Sequence, residues 1–363
     1  MSVVRLNAVG DVWFGDHPVR IGHGVGSLYG GGSESALFAY TKELLAEADI
    51  NFCNLESVLS DAGLRTWWLP SLEMRGRPSG AEALADAGFN VVSMANNHMM
   101  QHGAQCYVET AALLERHGMS VIGREDDEGY SELVRLDIRG ARVALMAFSL
   151  RPEEYFDGKP LYAQRESHDQ MLWEVTRAKA HGVDFLVCSL HWGTEYMRVP
   201  DTSQIQLARQ LIDAGVDVVL GHHPHVLQGW EIYRRGLVLY SLGNFVFDLW
   251  PRETRKAVVA HIELRRNETP SVSFTPVWID DAFRPTRAVG EMAREIQEEL
   301  REISEQIGNV HASDLEYKRA SKAAEREVRL SGYRYFARNL HRYPPNMLMQ
   351  SIGRTLVRRI TGG

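Results

Sequence analysis

The chain has 363 residues, 44% hydrophobic and 24% charged, with a formal net charge of −7. At roughly 150 residues per domain this is one large or two ordinary globular domains, and the acidic balance excludes a generic nucleic-acid binder. The three cysteines, Cys53, Cys106 and Cys188, form no C-x-x-C pair, which excludes a disulfide scaffold and points to a reducing compartment.

No apolar run approaches the roughly 18–20 residues of a membrane span. Met1–Leu6 runs straight into a strand without a secretory pattern, so the expected location is the cytoplasm. From the N-terminus to about residue 280 apolar runs alternate with helical periods. Val3–Val9 ends in Gly10-Asp11, and Asp49–Cys53 ends in Asn54-Leu55-Glu56. Phe89–Ala95 ends in Asn96-Asn97-His98, and Asp184–Leu190 ends in His191-Trp192-Gly193. Val216–Leu220 ends in Gly221-His222-His223, and Leu237–Leu242 ends in Gly243-Asn244-Phe245. Ala104–His117 and Ser203–Ala214 carry the helical period between them.

Strand, polar turn and helix in repetition predict a layered α/β fold, whose strand-end residues converge on one crevice. Leu133–Ile138 with Arg142–Phe148, and Ala257–Leu264 with Val272–Val277, read as antiparallel hairpins, so the sheets are mixed. The segment His17–Ser35 holds six glycines. It reads as a surface loop or a lid beside the site, and not as a P-loop, because no Gly-Lys-Ser/Thr follows. Two regions are expected: residues 1–280 as the α/β body and residues 281–363 as a helical, basic extension. Its last 33 residues carry Arg334, Arg338, Arg342, Arg354, Arg358 and Arg359 and no acidic residue. Packing on the body is the plain reading of that extension. Docking of an acidic partner or of membrane headgroups is the sharper one.

The chemistry is carried by the strand ends. Gly221-His222-His223-Pro224-His225 places three imidazoles in four residues, which is costly to bury without partners, and imidazole nitrogens suit divalent metals. Asn96-Asn97-His98 adds an amide oxygen and an imidazole, and His191-Trp192-Gly193-Thr194-Glu195 an imidazole and a carboxylate. Asp11 and Glu56 supply further carboxylates. Each alone has an ordinary explanation as a helix cap, turn or satisfied core residue. Together they read as a mixed nitrogen and oxygen site for one or two divalent cations.

In this order the motifs resemble the CapA-type family of poly-γ-glutamate capsule synthesis, a branch of the calcineurin-like metallophosphoesterase superfamily. The resemblance covers roughly residues 5–250. It implies a four-layer α/β/β/α sandwich of two mixed sheets with a divalent cation at the strand ends, calcium, manganese, zinc and magnesium all remaining open. By resemblance the ligand set is Asp11, Glu56, Asn97, His191, His223 and His225. The catalytic candidates are His98, His225, Asp11 and Glu195. Trp13, Asp16, Trp192 and Asn244 are candidate substrate contacts, and Trp67 and Trp68 could join the tryptophans around the pocket.

Two departures stand out. The phosphoesterases have Asp-x-His first, where this chain has Asp11-Val12-Trp13, and indole binds no metal. Asn54-x-Glu56 replaces a bridging aspartate. One of two metal positions has therefore lost a ligand, which weakens the expectation of phosphoester hydrolysis. The favoured expectation is acid/base epimerisation at a Cα of a peptide, as in the lasso-peptide epimerases that resemble this family. The alternatives are hydrolysis of a phosphoester or amide, and a part in capsule synthesis. The expected partner is a peptide or acidic polymer, with no nucleic acid and no membrane span.

Overall fold

Val4–Val12 is buried at every position except Arg5. A strand so enclosed belongs inside a sheet covered on both faces. In a computed structural model, which describes residues 3–45, 47–307 and 314–361, it lies near the middle of an eight-stranded mixed sheet. The order is Pro285–Arg287, Ser271–Ile279, Lys256–Leu264, Val4–Val12, Ile50–Leu55, Val91–Ser93 and Ser120–Ile122, with Asn244–Val246 also pairing with Val4–Val12. A six-stranded sheet runs Trp230–Tyr233, Gly236–Leu239, Val218–His222, Phe185–His191, Ala141–Ser149 and Val134–Ile138.

The pleat of the second sheet shows how the layers stack. Val143, Leu145 and Ala147 face the core shared with the first sheet, together with Val187, Val218 and Leu220. Ala144, Met146 and Phe148 face the other way, onto Met171 and Val175 of helix His168–Ala180 and Leu207 and Leu211 of helix Thr202–Asp213. This period of two is the strand rule at work. Helix Thr202–Asp213 starts at Asp201, whose carboxylate accepts from the Gln204 amide while the Gln204 side chain reaches back, a capping box. Helices Ser79–Ala87 and Ala104–Arg116 cover the outer face of the first sheet through Leu84, Cys106, Ala111 and Leu114. The order of layers is helix, sheet, sheet, helix, as expected, and both hairpins form antiparallel pairs.

Register sets the site. Asp11 lies opposite Asn244 on one side and Asn54 on the other, and Asn54 lies opposite Ser93. In the second sheet His191 lies between Ser149 and His222. Parallel pairing thus brings one polar row to the same edge of each sheet.

Beyond these sheets the chain is helical. Helix Gly290–Ile307 packs on Ser271–Ile279 and Trp230–Tyr233, one strand from each sheet. Helix Asp314–Arg338 packs on the turn Pro18–Arg20, and helix Pro345–Thr361 on the turn Leu69–Leu72. The side chains of Arg354, Arg358 and Arg359 lie outside the described residues. No helix among the described residues is long and apolar enough to cross a membrane.

One glycine is needed for close approach rather than flexibility. A Cβ on Gly221 would overlap the carbonyl oxygen of Tyr240. Gly221→Ala should therefore force the strand carrying His222 away from its neighbour and cost about 1–3 kcal/mol, read as a lower midpoint in chemical denaturation.

Candidate metal centre

Asp11 is completely buried and is the centre of a polar cluster. Its Oδ1 accepts from Asn54 Nδ2 at 2.8 Å and lies 3.1 Å from His222 Nδ1 on the opposite sheet. Its Oδ2 accepts from the His223 amide at 3.2 Å and lies 3.6 Å from His225 Nδ1. Burial alone would raise this carboxyl. The hydrogen bond and charge of His222, with His225 and Asn54, outweigh it and hold Asp11 below its ordinary value.

Glu56 is the opposite case. It is equally buried, and neither of its oxygens has a hydrogen-bond partner. Glu56 Oε1 lies 3.5 Å from His191 Nε2, 3.8 Å from His225 Nε2 and 3.9 Å from His98 Nε2. Burial first, then the charges of Asp11 and Glu195, push it well above the usual carboxylate range. Both ring nitrogens of buried His223 also lack partners. Burial, reinforced by Arg151 and the neighbouring imidazoles, holds His223 well below its ordinary value, and burial among histidines does the same for His191.

Orphaned buried donors and acceptors are rare, and an unpaired buried carboxylate costs several kcal/mol. Here they converge. The donor atoms of Glu56, His191 and His223 lie within 4.8 Å of one another, as do those of Asp11, Glu56 and His225, and of Glu195, His223 and His225. A divalent cation fits this set, because it would satisfy the orphaned atoms of Glu56 and His223 at once. Asn97 is adjacent, its Oδ1 2.9 Å from His191 Nε2. His223 and His225 have φ of +96° and +57°, values that non-glycine residues rarely adopt and that cluster at functional sites.

The surroundings orient the cluster. Asn244 Oδ1 lies 2.9 Å from His225 Nδ1, and its amide donates to the carbonyls of His225 and Thr254. It therefore positions His225, and both ends of its side chain are already engaged. Asn54 was legible only as part of its motif. It bonds Asp11 and receives Asn96 Nδ2 at 3.2 Å, tying two strand ends together. Trp13 is fully buried, stacked on Phe247 at 4.6 Å and edge-on to His98 at 5.6 Å. Its indole stands beside the cluster. Burial pushes His98 down to about 3, so this imidazole is neutral.

Four expected contact residues lie elsewhere. Trp192 alternates with His191 along the chain, so it turns out into the helix-covered core, donating from Nε1 to the Tyr240 carbonyl at 3.0 Å. Asp16 is occupied by the glycine-rich segment, accepting from the amides of Gly22 and Ser27 at 2.8 Å each. Trp67 and Trp68 are 62% and 42% exposed and stand outside the cluster. Two buried groups outside the sequence motifs lie next to the glycine-rich segment. His17 contacts Trp250 with rings 5.2 Å apart and is held neutral near a pKa of about 3 by burial and then by His225. Its signal was weak, a lone histidine outside any motif. Asp248 accepts from the His17 amide at 2.9 Å.

The bacterial capsule synthesis model PGA_cap matches residues 5–249. The chain belongs to that family. It is 29% identical to the capsule biosynthesis protein CapA of Bacillus anthracis over 289 residues, 77% of this chain and 68% of that one. It is also 29% identical to the PGA biosynthesis protein CapA of Bacillus subtilis, over 77% of this chain and 73% of that one. Among solved structures, a 5'-nucleotidase precursor of Thermus thermophilus is 14% identical with a TM-score of 0.45, over 85% of this chain and 60% of that one. The family match contains every residue of the cluster and ends before Trp250 and the C-terminal helices.

Purified protein should take up a divalent cation, counted by elemental analysis after dialysis, and His223→Ala should abolish uptake with little loss of stability. Asn244→Ala should weaken it about 10–100-fold by freeing His225. Separately, burial and then Asp16 push Asp248 up to about 7 from 3.8. The folded chain therefore holds a proton there that the unfolded chain releases, and stability falls as pH rises from 3.8 to about 7. Asp248→Asn should flatten that slope in denaturation curves recorded across this window.

Proposed function

We propose that this member of the capsule synthesis family is a metal-dependent enzyme that moves a proton at a Cα of a peptide or glutamyl chain. The observation that carries this reading is the loss of one ligand position to Trp13 beside an otherwise dense set of buried nitrogen and oxygen donors. Asp11, Glu56, Asn97, His191, His223 and His225 would hold the cation. When bound, it would polarise a carbonyl or carboxylate oxygen and make the neighbouring Cα–H more acidic.

The remaining work falls to the chain's own groups. His98 is neutral, and its Nε2, 3.9 Å from Glu56 Oε1, is the ring nitrogen assigned here to take the proton. Glu195 is half-buried, with a carboxylate oxygen within 4.8 Å of donor atoms of His223 and His225. It is the counterpart able to return one, with His225 between them. Asp11 orients His222 and His225 and keeps its charge. Trp13 and Phe247, both buried and stacked on one another, exclude water from this side of the cluster. Two groups able to exchange protons beyond the ligand set are what epimerisation requires. The names of the Bacillus relatives, capsule and PGA biosynthesis, agree with a glutamyl chain as one substrate class.

Hydrolysis of an amide or phosphoester is the second reading, favoured by ligands gathered at the strand ends of a four-layer sandwich. The two are separated in deuterated water with candidate peptides and γ-glutamyl oligomers. Epimerisation places solvent deuterium at the Cα with inversion and leaves chain length unchanged. Hydrolysis shortens the chain or releases phosphate. Wild-type protein should turn over simple phosphate esters weakly or not at all. Trp13→His should damage the proton-transfer reaction and raise phosphatase activity. Robust phosphate release by the wild type would sink the proposal.

A further inference from the structure

A cavity of about 710 Å3 opens beside the cluster, within the range of ligand sites. Its inner wall includes His17, Glu195, Tyr196 and Trp250. Glu195 is thus shared between the cavity and the donor set around His223 and His225. The outer wall is the C-terminal extension: Val328, Gly332 and Phe336 from helix Asp314–Arg338, and Met347 from helix Pro345–Thr361. None of that wall lies within residues 5–249, where the family match falls.

The wall is fastened. Trp250 Nε1 donates to Ser331 Oγ at 2.7 Å, and its ring stacks on Tyr335 at 5.8 Å. His23 lies 3.2 Å from the Tyr335 hydroxyl, and the Tyr343 hydroxyl donates to the Val19 carbonyl. The Leu69 amide donates to Gln350 Oε1 at 2.8 Å. These contacts join both helices to the segments that flank the cluster.

The charge of the lining decides what fits. Among the described residues, three of the lining carry formal charge, Glu195, Glu325 and Arg329, and two of the three are acidic. Burial keeps His17 neutral. A polyanion would need cationic partners in excess, and among the described residues this lining offers a single guanidinium. Its remaining surface is mostly aliphatic and aromatic. We infer that the C-terminal helices build a pocket for a bulky apolar side chain of a peptide substrate, seated beside the cluster through Glu195, rather than a groove for a glutamyl polymer. This rests on the proposed action at a peptide Cα and narrows its substrate class.

The test uses binding in cation-free full-length protein, so it does not depend on turnover. Nile red, a neutral fluorophore, should bind with a rise in emission. A blocked peptide carrying phenylalanine should displace it, and a γ-linked glutamate oligomer should not. Gly332→Leu would drive its side chain toward the Trp250 ring, which already lies 2.9 Å from a Cβ built there. It should weaken Nile red binding about tenfold or more. Val328→Glu, which puts a carboxylate on a half-buried helix position, should do the same and keeps the test alive if the first variant melts early. Displacement by the glutamate oligomer and not by the peptide would overturn the inference, as would unchanged binding in both variants. An intact pocket in a protein that shows no deuterium exchange would instead count against the proposed reaction alone.

Discussion

The contact between Asp11 and His222 joins two sheets that share no backbone ladder. Across it, the last residues of four parallel strands are held at one level. Asp11 can remain charged with no exposure because four groups share its two oxygens, one from its own sheet and three from the other side. Such a hub is stable only when fully partnered, since the low dielectric that strengthens each bond also makes any missing one costly. Glu56, a few ångströms away, has no such set. That difference between two buried carboxylates is what makes the cluster fit a cation better than a self-contained core network.

Much of this is legible in the sequence alone. The alternation of apolar runs with helical periods implies the layers, and the polar residues at six strand ends imply one crevice. Asp11, Glu56, Asn97, His98, His191, His223, His225 and Glu195 do come together. What misleads is treating neighbours in sequence as neighbours in space. Trp192 follows His191 directly, but a pleated strand sends adjacent side chains to opposite faces, so one enters the site and the other the core. Asp16 follows the first motif closely, yet a glycine-rich segment leaves many amides in need of acceptors, and Asp16 supplies them.

The C-terminal helices are the least legible part. Their composition, basic and aromatic, speaks of a surface. The feature that matters is which segment they cover, and that depends on contacts more than 280 residues apart in sequence, such as Tyr343 with Val19 and Leu69 with Gln350. No local periodicity encodes such a pairing. The pairing also separates two roles within the molecule. The family-wide body holds the donors, and the helices outside the family match shape what lies beside them.

The left-handed backbone at His223 and His225 has a consequence for how this protein can change over time. At these torsions a glycine is more comfortable than an imidazole. The turn that aims the two rings is therefore a place where stability and function pull in opposite directions. Under selection for folding alone, His223 would be among the first residues to go, because its loss relieves backbone strain and removes two orphaned nitrogens together. A copy of this chain that had lost its donor set and kept only its architecture would be recognisable by glycine or asparagine at these positions.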